Sequence, residues 1–175
     1  MQFDLEFDTS HLTYILRAAR QEIDQPEAML NSIGESLLRV NRKRHEKGVD
    51  PEGKEWKQLS DLTLAEGNRK GGPLKKTGRM LMSLLYQTNN DELRLWFDGA
   101  RDAKLAGFHQ FGTNPYDIVP KHAKVLAFAG IVTKRVHHPG LPKRELIGFP
   151  DSDKQLVENV TADHLTRILQ RARAR

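Results

Sequence analysis

Four short segments punctuated by glycine and proline set the limits on what this chain can fold into. They are residues 48–60 (GVDPEGKEWKQLS), 74–85 (LKKTGRMLMSLL), 107–114 (GFHQFGTN) and 138–149 (HPGLPKRELIGF). Each joins a bend-forming residue to one or two large apolar anchors and flanking charge, which is how a chain builds shaped surface loops on a small scaffold. Regular elements are left to the stretches between them.

Those stretches carry readable periods. Phe3, Leu5 and Phe7 alternate with polar residues, the period of a strand with one buried face. Thr9 or Ser10 can cap a helix to about Arg20, with Leu12, Ile15, Leu16 and Ala19 on one face. Pro26-Glu27 reads as the first turn of a second helix, whose apolar face is Met29, Leu30, Ile33, Leu37 and Val40. Gly48 is expected to stop it, and Trp56 to pin the loop that follows. Ser60 caps a short helical stretch, and Arg79 to about Leu85 is expected to form another. Asn89, Asn90 and Asp91 separate two apolar-alternating runs, which predicts a hairpin. Residues 100–111 favour helix, with Phe111 packed inward in the structural reading. Residues 125–128 and 131–136 are expected to pair across Ala129-Gly130. A last helix starts at Asp151 or Ser152 and is expected to break near Thr161.

The resulting expectation is an α+β fold. A small antiparallel sheet packs against the N-terminal helices, with extended loops and a C-terminal helix. Residues 1–150 are expected as a single domain and 151–175 as a basic helix following it.

Chemistry is harder to find. No pair of the seven histidines is spaced to place two imidazoles on one helix face, and His11, His45 and His164 are expected to face solvent. Ser60, Ser83 and Ser152 lack the glycines of a nucleophile elbow, and Gly71-Gly72-Pro73 lacks the lysine-serine end of a phosphate loop. No catalytic residue, metal ligand or cofactor site is assigned, and the expectation is a protein that is not an enzyme. His109 and Gln110 have two readings: hydrogen-bonding to the carbonyls freed where a helix ends at Gly112, or contact with a neighbouring subunit.

Composition narrows the setting. The 175 residues are 38% hydrophobic and 29% charged, lean but adequate for one domain. The absence of cysteine fits a reducing cytoplasm, and no run approaches the ~20 apolar residues of a membrane span. The net charge of +5 suits an acidic partner or nucleic acid. Basic clusters lie at 39–47, 69–79, 134–144 and 167–175, but no recognition helix or ribonucleoprotein pattern accompanies them.

Taken in order, the loop motifs resemble the phage virion morphogenesis family, the tail-completion proteins of Mu-like and P2-like phages. The residues carrying the likeness are Gly53, Trp56 and Leu59; Leu74, Thr77, Gly78 and Leu81; His109, Gln110 and Gly112 after Leu93 to Phe97; and Pro142, Arg144, Leu146, Ile147 and Gly148. The stretch from Asn114 to His138 is longer than in the simplest members and carries its own expected strands. The resemblance implies a structural protein for tail completion or head-to-tail joining, forming a ring, a homo-hexamer by tail symmetry, at the neck-proximal end of the tail. Implied partners are other virion proteins, namely the tail tube or terminator and the head connector, with assembly in the host cytoplasm and no membrane. Trp56, Phe108, His109, Phe111, Arg144, Arg167, Arg171 and Arg173 are the expected interface residues. Arg69, Lys70, Lys75 and Lys76 are expected to face DNA passing through the lumen. The alternative reading is a basic, non-specific DNA-binding protein.

Overall fold

Pro26 starts the longer N-terminal helix as its fixed φ suggests: its carbonyl accepts from Leu30 N at 2.8 Å, and α2 runs Glu27–Lys47. The computed structural model describes residues 8–65, 72–89, 92–128 and 130–174. The alternating run at Phe3 to Phe7, and Arg69 and Lys70, lie outside the described residues. In chain order the elements are α1 (Ser10–Asp24), α2, α3 (Asp61–Ala65), α4 (Arg79–Met82), β1 (Leu84–Thr88), β2 (Leu93–Phe97), α5 (Ala100–Phe111), β3 (Tyr116–Ile118), β4 (Leu126–Phe128), β5 (Ile131–Thr133), β6 (Val136–His138) and α6 (Asp151–Arg173). The fold is α+β, and among the described residues the strands form three separate two-stranded ladders, β1–β2, β3–β6 and β4–β5. No described helix is long and apolar enough to cross a membrane.

The chain divides into two compact units interleaved in sequence. The first takes residues 1–37, 86–94 and 151–175. Here α1 packs along α6. His164 Nε2 meets Glu22 Oε1 at 2.6 Å, so His164 is largely shielded where it was expected to face solvent. Helix α6 is unbroken through Thr161, where a break was expected, and falls in this unit. Ile33 and Leu37 are buried, and Gly34 lies under the tip of the β1–β2 hairpin. A Cβ at Gly34 would overlap the Tyr86 ring and sit 2.9 Å from Leu93 Cδ1. Helix α1 buries none of its residues; Leu12 and Leu16, expected on its packed face, are mostly exposed.

The second unit takes residues 38–85 and 95–150. Gly48 (φ +75°) ends α2: Val49 N donates to Arg44 O at 3.1 Å and Gly48 N to His45 O at 3.1 Å, the paired bonds of a left-handed helix stop. The core is Trp56, Met80, Leu81, Ala106 and Leu146, with Leu74, Phe97, Leu105 and Ile147 packed against it. Leu84, at the start of β1, is fully buried, whereas Leu85 points outward. Helix α4 leans on α5 through Arg79 Nε and Asp102 Oδ2, 2.9 Å apart, with Asp102 buried.

Between α5 and residue 140 the chain forms two nested antiparallel ladders. Tyr116 pairs with His138 and Ile118 with Val136; inside them Leu126 pairs with Thr133 and Phe128 with Ile131. The inner hairpin is the one the sequence predicts, while β3 and its pairing with β6 were not expected. Its root is tight: Thr113 N donates to Leu141 O at 3.0 Å, Leu141 N to Thr113 Oγ1 at 2.8 Å, and Gly140 (φ +86°) lies flat against Thr113 and Asn114.

Candidate functional site

Two bend-rich segments, 48–60 and 107–114, and the end of α2 converge on one strip of a third segment, residues 143–147. A strip without a ladder leaves its backbone groups to be satisfied by side chains, and the sequence supplies them from three directions. From the end of α2, His45 Nε2 donates to Leu146 O at 2.8 Å. From the loop after it, Trp56 Nε1 donates to Glu145 O at 2.9 Å. From α5, Gln110 uses both ends of its amide: Oε1 accepts from Leu146 N (2.8 Å) and Ile147 N (3.1 Å), and Nε2 donates to Ile147 O at 2.7 Å.

Arg144 returns the favour from the strip. Its backbone N donates to His109 O at 2.7 Å, and its guanidinium donates to Lys57 O (2.8 Å) and Gln58 O (3.2 Å). A planar fork suits two successive carbonyls better than an ammonium would. Trp56 and His45 rings lie 5.8 Å apart, and His45 stacks over Phe97 at 6.3 Å.

The electrostatics follow from burial. His45 is 2% exposed, and desolvation is the main cause that holds its pKa below the usual imidazole value, against the pull of the Leu146 carbonyl. With Nε2 carrying the hydrogen, its Nδ1 is bare and has no partner among the described residues. Burial first, then the charge of Arg144, pushes His109 down to about 4. Burial also lowers Arg144. Both imidazoles are therefore neutral at pH 7. Among the described residues no group of histidines and carboxylates is arranged to hold a metal ion. The cluster fixes backbone; it offers no nucleophile with a positioned base.

The expected interface residues separate into two kinds. Trp56 (3% exposed) and Arg144 (5%) are interior, and His109 joins them through its backbone carbonyl. Their side chains shape loops. Phe108 and Phe111 face outward from α5, Phe111 at 79% exposure. Phe111 was expected to pack inward; instead Gly112 (φ +76°, ψ 178°) takes an extended mirror conformation and runs 3.0 Å from Leu141 O, measured from a Cβ placed on it. Gln110 does satisfy carbonyl and amide groups, but those of the distant strip rather than of its own helix end. Arg167, Arg171 and Arg173 lie exposed on α6, in the first unit. Lys76 is exposed, while Lys75 Nζ is engaged by Glu46 O.

His45 is the residue that sequence reasoning missed. A signal existed: Ile33, Leu37, Asn41 and His45 recur every four residues, and all four are buried.

Compared with known proteins, residues 7–166 match the phage virion morphogenesis family. No curated protein and no solved structure matches the chain.

Proposed function

The chain belongs to the phage virion morphogenesis family, and from that premise we propose that it completes the tail and joins it to the head as a ring at the neck-proximal end. The observation that carries this reading is Phe111. It stands almost fully exposed beside Gln110, whose amide is locked at both ends. An aromatic side chain held out by rigid backbone loses little entropy on docking, which is the property of a contact anchor. Phe108 on the same helix extends the surface. Trp56, His109 and Arg144 serve the interface by fixing the loops that carry it.

In this reading the copies form a hexamer, by tail symmetry, against the tail tube or terminator on one side and the head connector on the other. The exposed Arg167, Arg171 and Arg173 give an acidic connector groove something to attract, raising docking rate more than affinity. Arg69, Lys70, Lys75 and Lys76 are the proposed contacts to DNA in the lumen. The protein works in the virion after assembly in the host cytoplasm, and does so without catalysis.

The test is a Phe111→Asp variant supplied to a phage lacking the wild-type chain. It should fold with an unchanged melting midpoint and fail to join heads to tails. Full restoration of infectious particles by the folded variant removes Phe111 from the interface.

A further inference from the structure

The nested hairpin between residues 114 and 139 is a part of the second unit that the side-chain bonds to residues 143–147 do not explain. A two-stranded ribbon on its own is marginal in water. Each ladder here is three residues long, and the strands' substantial packing is against their own ladder partners. Val125, Ile131 and Val132 are exposed at 39%, 43% and 67%. Residues 125–133 carry no charge, and Lys121, Lys124 and Lys134, all exposed, flank them in sequence. The acid of this region, Asp117, is already taken by His137 (3.0 Å) and Arg135 (3.6 Å). Those three lysines have no acidic partner among the described residues.

The same unit carries the opposite pattern elsewhere. Phe149 is 55% exposed. It follows Gly148, whose backbone is pressed onto Pro51: a Cβ on Gly148 would lie 2.8 Å from Pro51 Cγ. Pro51 sits in a closed turn, with Asp50 N donating to Lys54 O at 2.8 Å and Gly53 N to Asp50 O at 3.0 Å. That turn presents Glu52 and Glu55, both exposed, with Asp50 behind them and Lys54 as its one cation. Through the Gly148–Pro51 contact the Phe149 segment adjoins a turn whose two exposed glutamates are opposite in sign to the lysines flanking the apolar tip.

We propose that the hairpin tip of one copy docks on the Phe149 and Glu52–Glu55 surface of a second copy of this chain. The two patches differ, so the contact is head-to-tail, the kind that closes into a ring when the rotation permits. Burial of the valines and isoleucine against Phe149 supplies the attraction, and the lysine–glutamate pairs set the register. An uncharged tip argues for protein over nucleic acid, since phosphate contact needs charge at the contact itself. The proposal deepens the ring reading and rests on it only for closure.

The experiment exploits a chain without cysteine. Val132→Cys, labelled with a photo-crosslinker, is mixed with isotope-labelled unmodified protein, and cross-linked peptides are sequenced. Mixed-isotope links from position 132 to residues 49–55 or to Phe149 are expected. They should vanish in K121E/K124E/K134E and return when that variant is mixed with E52K/E55K, all with unchanged melting midpoints. Links confined to one chain, links to other parts of the second copy, no links, or failure of the charge swap to restore them would each overturn the proposal. So would protection of position 132 by duplex DNA in place of a second copy. A phage that still joins heads to tails without the chain would end the ring reading while leaving such links in place.

Discussion

Trp56 and Glu145, 89 positions apart in the chain, are tied by one hydrogen bond from the indole Nε1 to the backbone carbonyl at 2.9 Å. The ring also occupies the centre of the second unit's core. Polar and apolar roles can therefore be separated by substitution. Trp56→Phe keeps much of the packing and strands the carbonyl, and should cost about 1–3 kcal/mol. Trp56→Ala also opens a cavity and should cost about 3–5 kcal/mol. Urea unfolding monitored by circular dichroism checks both; equal losses would mean that the hydrogen bond contributes nothing.

Gln110 makes a sharper local prediction. Its amide is the partner of Leu146 N, Ile147 N and Ile147 O. Gln110→Ala should cost about 1–3 kcal/mol and accelerate amide exchange at Leu146 and Ile147 well beyond that of their neighbours. Uniform acceleration across the unit would show a global loss of stability instead of a local clasp.

Acid should loosen the second unit. His109 is held near 4 by burial and Arg144, and His45 is lowered by burial, while the unfolded chain titrates near 6.5. Between those values the unfolded state binds more protons than the fold. The stabilisation from the neutral rings is therefore complete above pH 6.5 and is lost progressively as pH falls toward 4. Urea midpoints measured across that window should decline, and less steeply in His109→Gln. A flat profile would contradict the burial argument.

Two glycines with nearly the same φ separate strain from clash. Gly53 (φ +84°) has nothing within 4 Å of a Cβ, so Gly53→Ala should cost about 1–2 kcal/mol from backbone conformation alone. Gly140 (φ +86°) would drive its Cβ into the Thr113 carbonyl and to 2.9 Å from Asn114 C, so Gly140→Ala should cost distinctly more. Comparable melting midpoints for the two variants would mean that the hairpin root yields easily.

How much of this was legible in the sequence depended on whether local period or long-range pairing decided the outcome. Helix α5 falls on residues 100–111 as expected, because the glycines bounding it both need positive φ. The inner hairpin followed from Gly130 between an apolar run at 125–128 and a β-branched one at 131–133. The strip at 143–147 was visible only as a motif, since its partners lie 35 to 101 positions away and no local pattern predicts which carbonyl an indole or imidazole will find. His45 was misplaced for a related reason. A basic run around it suggested a solvated helix end, yet burial of the ring between Trp56 and Phe97 outweighed its neighbours' charge. Phe111 faces outward, and no local period at the end of α5 signalled it.

Electron microscopy of a phage whose reading frame for this chain is interrupted tests most directly whether the exposed aromatics exist to join particle parts. Filled heads and separate, finished tails should accumulate together, and added wild-type protein should couple them. Intact infectious particles formed without the chain would contradict that role.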